Sequence, residues 1–86
     1  MKAIEALKQI NTIFSEYVSI AKDEDGNVYA HNKFELEVSK IRGYWYSPTG
    51  NHKWIEVSES FASKIEWDSD DWTKCIVTLN DIQNES

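Results

Sequence analysis

The sequence predicts an α+β fold in one domain over residues 1–86, with an N-terminal helix packed on a four- or five-stranded, mostly antiparallel sheet. Three observations carry this expectation. Helical spacing of apolar side chains is confined to the first residues, short alternating runs separated by turn residues fill the remainder, and a chain of 86 residues holds one core rather than two. At 41% apolar and 28% charged, the chain has the material for that core and is not a disordered acidic tail.

Ile4, Leu7, Ile10, Ile13, Phe14 and Tyr17 recur at steps of three and four, which sets them along one side of a helix at about residues 2–15. A strand at about 16–22 follows. Asp25-Gly26 is a favoured turn dipeptide, so this strand and Val28 to His31 read as a hairpin. Between Lys33 and Ser47 the alternation changes parity. Phe34, Leu36 and Val38 share one face with Glu35 and Glu37 opposite, whereas Ile41 and Trp45 fall on the other parity, so a bulge or bend is expected near Ser39 to Gly43.

Ser47-Pro48-Thr49-Gly50-Asn51 reads as a turn in which proline fixes one backbone angle and glycine supplies a positive one. That register would pair Ser47 with His52, set Trp45 opposite Trp54 and face Tyr44 with Ile55. Ser58 to Trp67 fits a short helix or a strand, and its alternation of Phe61, Ile65 and Trp67 leans towards strand or irregular structure. Asp68 to Asp71 is a loop, Trp72 to Leu79 a strand centred on Cys75, Ile76 and Val77, and Asn80 to Ser86 a frayed end.

Fifteen acidic against nine basic residues give a net charge of -6, which argues against direct binding to nucleic acid or an anionic membrane and favours a basic partner. Glu5, Gln9 and Asn11 interrupt the apolar run a signal peptide needs, no stretch approaches a membrane span, and the single Cys75 forms no internal disulfide. A cytoplasmic location is expected. Asn84-Glu85-Ser86 matches a glycosylation acceptor, which carries no weight without a secretory signal.

No motif for catalysis or a cofactor stands out. Asp23, Asp25 and Asn27 suggest a calcium loop, but Val28 and Phe34 stand where its glycine and glutamate belong, and a solvated turn explains them. His31, His52 and Cys75 lack the paired spacing of a zinc site. Cys75 in an apolar strand reads as buried and inert, and no glycine-rich phosphate loop or nucleophile elbow occurs. The expectation is a cofactor-free binding protein rather than an enzyme.

Charge and aromatic patterning point to where binding occurs. Residues 1–43 are net -1 and residues 44–86 net -5, and within the latter residues 56–71 carry Glu56, Glu59, Glu66, Asp68, Asp70 and Asp71 against Lys64 alone. Either this is a solvated edge that keeps the protein soluble, or it docks in a basic cleft such as a nucleic-acid channel. Carboxylates on one strand face recur every ~6.8 Å against ~3.4 Å between phosphates, so a second row is needed, for which Glu35 and Glu37 are candidates. Trp67 and Trp72 would supply anchors, and Trp45 with Trp54 a platform.

The expected function is therefore inhibition or regulation of a protein with a basic surface, such as a nucleic-acid-processing enzyme. Acidic single-domain inhibitors share this size and charge, both nucleic-acid mimics of the phage or mobile-element anti-defence type and nuclease immunity proteins. The alternative is a structural or assembly subunit that pairs through a sheet edge or the aromatic face.

Overall fold

The computed structural model describes residues 1–84. The α+β architecture is as the sequence predicts. Helix α1 (Ala3–Ile13) is followed by strands β1 (Ser19–Lys22), β2 (Val28–His31), β3 (Glu37–Ser39), β4 (Tyr44–Tyr46) and β5 (Trp54–Glu56). Next come a one-turn helix α2 (Glu59–Ala62), a 3-10 turn (Trp72–Lys74), strand β6 (Ile76–Thr78) and helix α3 (Leu79–Asn84). Four strands form an antiparallel sheet in the order β5-β2-β1-β6, and β3 with β4 forms a separate two-stranded sheet.

Alternation along the strands divides the sheet into two faces. Ile20, Ala30 and Val77 lie in one transverse row and meet Ala3, Ala6 and Leu7 of α1, with Val28, Val57 and Ile65 closing the same core. Two alanines let the helix approach closely, and Leu7 is fully buried, which contributes about 1.5–3 kcal/mol. On the second face Ser19, Ala21 and His31 are buried, and Trp45 of β4 is fixed at the Lys22 end of β1. Its indole N–H donates to the carbonyls of Lys22 at 3.0 Å and Trp72 at 3.3 Å, and its backbone N–H to Asp23 Oδ1 at 3.1 Å.

The helix stops two residues short of the expected end, and the first strand starts at Ser19 rather than 16. Asn11 is the cause. Its side-chain amide donates to the carbonyls of Ser15 and Tyr17, at 3.2 and 3.0 Å, and draws the chain across the helix end. Ile13 and Phe14, expected on the buried stripe, are consequently 73% and 48% exposed.

The parity change in residues 33–47 is a chain reversal, not a bulge within one strand. Gly43, at φ 79°, donates its N–H to the Ser39 carbonyl at 2.7 Å, and Val38 faces Trp45. Because β4 pairs with β3, the expected pairings of Trp45 with Trp54 and Tyr44 with Ile55 do not form. β5 pairs instead with β2, setting Trp54 opposite His31 and Ile55 opposite Ala30. The positive backbone angle of the intervening turn sits on Asn51, at φ 60°, rather than on Gly50. Ser47 does meet His52, through a 3.4 Å bond from its N–H to the imidazole Nδ1.

Three further expectations are corrected. Residues 59–62, which leaned towards strand, form the α2 turn, and Glu66 then bridges to Lys2 beside the start of α1. The stretch expected as a strand from Trp72 begins as a 3-10 turn because the Asp71 carboxylate caps it, accepting from Thr73 N at 3.0 Å and Thr73 Oγ1 at 2.6 Å. Residues 80–84, expected to fray, are helical, and Asp81 accepts the Thr78 N–H at 2.7 Å. Glu85 and Ser86, and with them part of the glycosylation triplet, lie outside the described residues. Among the described residues no helix is long and apolar enough to cross a membrane.

Candidate functional site

Register brings the acidic residues to one end of the sheet. β1 and β2 are joined there by the turn of Asp23, Glu24 and Asp25, and the antiparallel ladders make β5 leave and β6 enter at that same end. Glu56 ends β5 and Glu59 follows it, Asp68, Asp70 and Asp71 precede β6, and Glu66 lies between them. All six are exposed. Among the described residues the only ion pair joins Glu66 to the Met1 amino group at 4.0 Å, and no lysine or arginine comes as close to any carboxylate. Asp25 and Glu59 line one shallow groove together, so the turn residues join this cluster.

The remaining candidates divide. Glu35 and Glu37 sit towards the open end of the β3–β4 hairpin, away from its turn, whose Gly43 carbonyl accepts the Glu24 N–H at 3.0 Å. They do not provide the second acidic row, and Glu37 instead accepts the Tyr46 hydroxyl at 3.1 Å. Trp67 packs against the core and, with Glu66, Asp68, Asp81, Lys2 and Lys74, lines a groove of about 390 Å³. Trp72 is half-buried. The Asp71 carboxyl is held below its ordinary value by the Thr73 hydroxyl and amide, with Lys74 and Lys40 adding.

Trp45 and Trp54 are not ladder partners, yet both line one pocket of about 350 Å³ on the second face. Tyr29, Tyr44, Tyr46 and His52 complete its walls and Asp23 contributes a carboxylate. Trp45 is buried and Trp54 is 56% exposed, so the latter forms the mouth. His52 tilts against Trp54 with ring centroids 4.8 Å apart and stacks on His31 at 5.1 Å, its Nε2 lying 2.9 Å from His31 Nδ1. One proton joins the two rings, and the buried His31 Nε2 has no partner among the described residues.

Burial sets the titration of this pocket. The Asp23 carboxyl is pushed up to about 6 by desolvation, against the Trp45 N–H and with Asp25 adding. His31 is pushed down to about 4 by burial and then by His52, and His52 is lowered by burial and by Lys33. The Tyr29 hydroxyl is raised by burial and then by the charges of Glu56, Asp23 and Asp25. In the sequence alone Asp23 reads as a turn residue and His52 stands isolated from other ligating groups. The density of tryptophan and tyrosine from Tyr44 to Trp54 was the one available signal for this pocket.

No family model, no curated protein and no solved structure matches the chain.

Proposed function

We propose that this protein is a small cytoplasmic binding module, cofactor-free and not an enzyme, that inhibits or regulates a partner with a basic surface. A nucleic-acid-mimicking inhibitor of the phage or mobile-element anti-defence type, or a nuclease immunity protein, has this character. The observation that carries the reading is the gathering of exposed carboxylates from the β1–β2 turn and from the long β5–β6 connection at one end of the sheet, none within 4.0 Å of a lysine or arginine among the described residues. Adjacent strands lie ~4.8 Å apart, so connections at a sheet end space charge more densely than the ~6.8 Å repeat along one strand. Trp67, beside Glu66 and Asp68, is the candidate anchor.

The test is capture of partners from the native host at low and high salt, comparing the wild-type protein with Glu59→Lys, Glu66→Lys, Asp68→Lys and Asp70→Lys combined. Asp71 is left intact because it caps the 3-10 turn. The expected result is a nucleic-acid-binding protein held by the wild type only, released by salt and displaced by DNA. Recovery of the same proteins by the charge-reversed variant would exclude the reading.

One observation favours the alternative of an assembly subunit. β5 is an edge strand with every residue exposed, and beside it Ile55 joins Ile13, Phe14 and Phe61 in an apolar groove of about 270 Å³. A pairing through this edge would depend on protein concentration and survive high salt. Ile55→Lys would abolish it, as read by sedimentation equilibrium, and would leave the salt-sensitive capture unchanged.

A further inference from the structure

The second-face pocket has a chemistry distinct from that of the acidic end. Aromatic rings present electron-rich faces that attract cations, and such walls bind most strongly where water is excluded. Here Trp45, Trp54, Tyr29, Tyr44 and Tyr46 supply the walls, and Asp23 supplies one formal negative charge. No lysine or arginine lines the pocket. Burial keeps the His31–His52 pair uncharged at neutral pH.

Hydrogen bonding narrows the ligand further. Asp23 Oδ1 already accepts the Trp45 N–H, and Oδ2 has no protein donor among the described residues. The Tyr46 hydroxyl is committed to Glu37, and the Tyr44 hydroxyl accepts from Arg42 at 3.4 Å outside the pocket. A primary ammonium brings three donors that each need an acceptor, whereas a methylated ammonium brings charge with few or none. The site offers charge and aromatic rings but few free acceptors.

We propose that this pocket binds a methylated ammonium headgroup, carried by a small molecule or by a modified lysine side chain, with Trp54 and Tyr29 against the methyl groups and Asp23 opposite the charge. At about 350 Å³ it admits such a headgroup with part of its attached chain. Asp23 is then a binding residue rather than a turn former, and its burial beside aromatic rings is what makes the recognition electrostatic. Binding here is independent of the carboxylates at Glu59, Glu66, Asp68 and Asp70, so the charge-reversed variant keeps it.

The experiment titrates the full chain with choline and with 3,3-dimethylbutan-1-ol, its uncharged carbon isostere, following tryptophan fluorescence and the Trp45 and Trp54 indole N–H resonances. Choline is expected to saturate and to bind about tenfold or more tighter than the isostere. Equal affinity, or no saturable change with choline, overturns the proposal. Trimethyl-lysine amide distinguishes the source, since tighter binding than choline assigns the site to a protein side chain and weaker binding to a free small molecule. Asp23→Asn and Trp54→Ala, each checked for folding by circular dichroism, are expected to weaken choline about tenfold. Saturation by glucose in place of choline would overturn the charge argument and make the pocket a sugar site.

Discussion

Asp23 and His31 are both buried, and their titrations oppose one another. Asp23 holds its proton up to about 6 in the folded chain against an ordinary value of 3.8, so the folded state binds more protons between these limits. Its contribution to stability is fully present below pH 3.8 and is lost as pH rises through about 6. His31 behaves oppositely, because burial lowers it from 6.5 to about 4, so the contribution of its neutral ring is present above 6.5 and lost as pH falls through about 4. Asp23→Asn keeps the acceptor for the Trp45 N–H and removes the buried charge. It is expected to be more stable than wild type above pH 6 by about 1–3 kcal/mol, the gain vanishing near pH 4, as read by urea unfolding across that range. His31→Leu removes the unpartnered Nε2 and is expected to abolish the acid-side loss between 6.5 and 4.

At the scale of elements, what was legible in the sequence is what local chemistry decides. The helix could be read because Leu7 and its neighbours repeat at helical period, and the β1–β2 hairpin because Asp25-Gly26 sets its turn. Leu7→Ala is accordingly expected to cost about 2–5 kcal/mol in denaturant midpoint experiments, the site being fully buried against the sheet. The pairing of β4 and β5 was not legible. Each strand is three residues long, too short for its alternation to name a partner, and the Pro48–Gly50 signal made a local hairpin look sufficient. The bond that decides the matter is non-local, from Trp45 to Asp23 across 22 residues. Glycine substitutions test the revised turns. Gly43→Ala is strained at φ 79°, with its new Cβ 3.3 Å from Glu24 Cβ, and is expected to cost about 1–2 kcal/mol. Gly50→Ala meets nothing within 4 Å and has no positive φ to strain it, so it is expected to be nearly neutral. The reverse ranking in thermal melts would restore the local hairpin between Tyr44 and Glu56.

Across the whole molecule, the clustering of carboxylates at one end carries its own cost. The body measures 34 × 28 × 24 Å, and exposed charges interact over a Debye length of ~10 Å at 0.1 M salt, so neighbours at that end repel while the net charge is -6. The window's own sequence showed the excess of acid, but not that the β1–β2 turn would join it, because that follows only from which strands pair. Glu59 and Asp70 make no hydrogen bond or ion pair through their side chains among the described residues, so replacing them removes repulsion without removing a contact. Glu59→Lys with Asp70→Lys is therefore expected to raise the melting temperature at low salt by a few degrees, about 1 kcal/mol in a chain of this size. The increment should shrink at 1 M salt, where screening reaches ~3 Å. Asp71→Lys provides the internal contrast, because it forfeits the two bonds to Thr73 and is expected to lower the melting temperature at either salt concentration. An acidic end kept for solubility alone would let the stabilised double variant retain every partner, whereas a docking surface loses salt-sensitive capture as the fold gains stability. Melting and capture measured on the same variant separate the two.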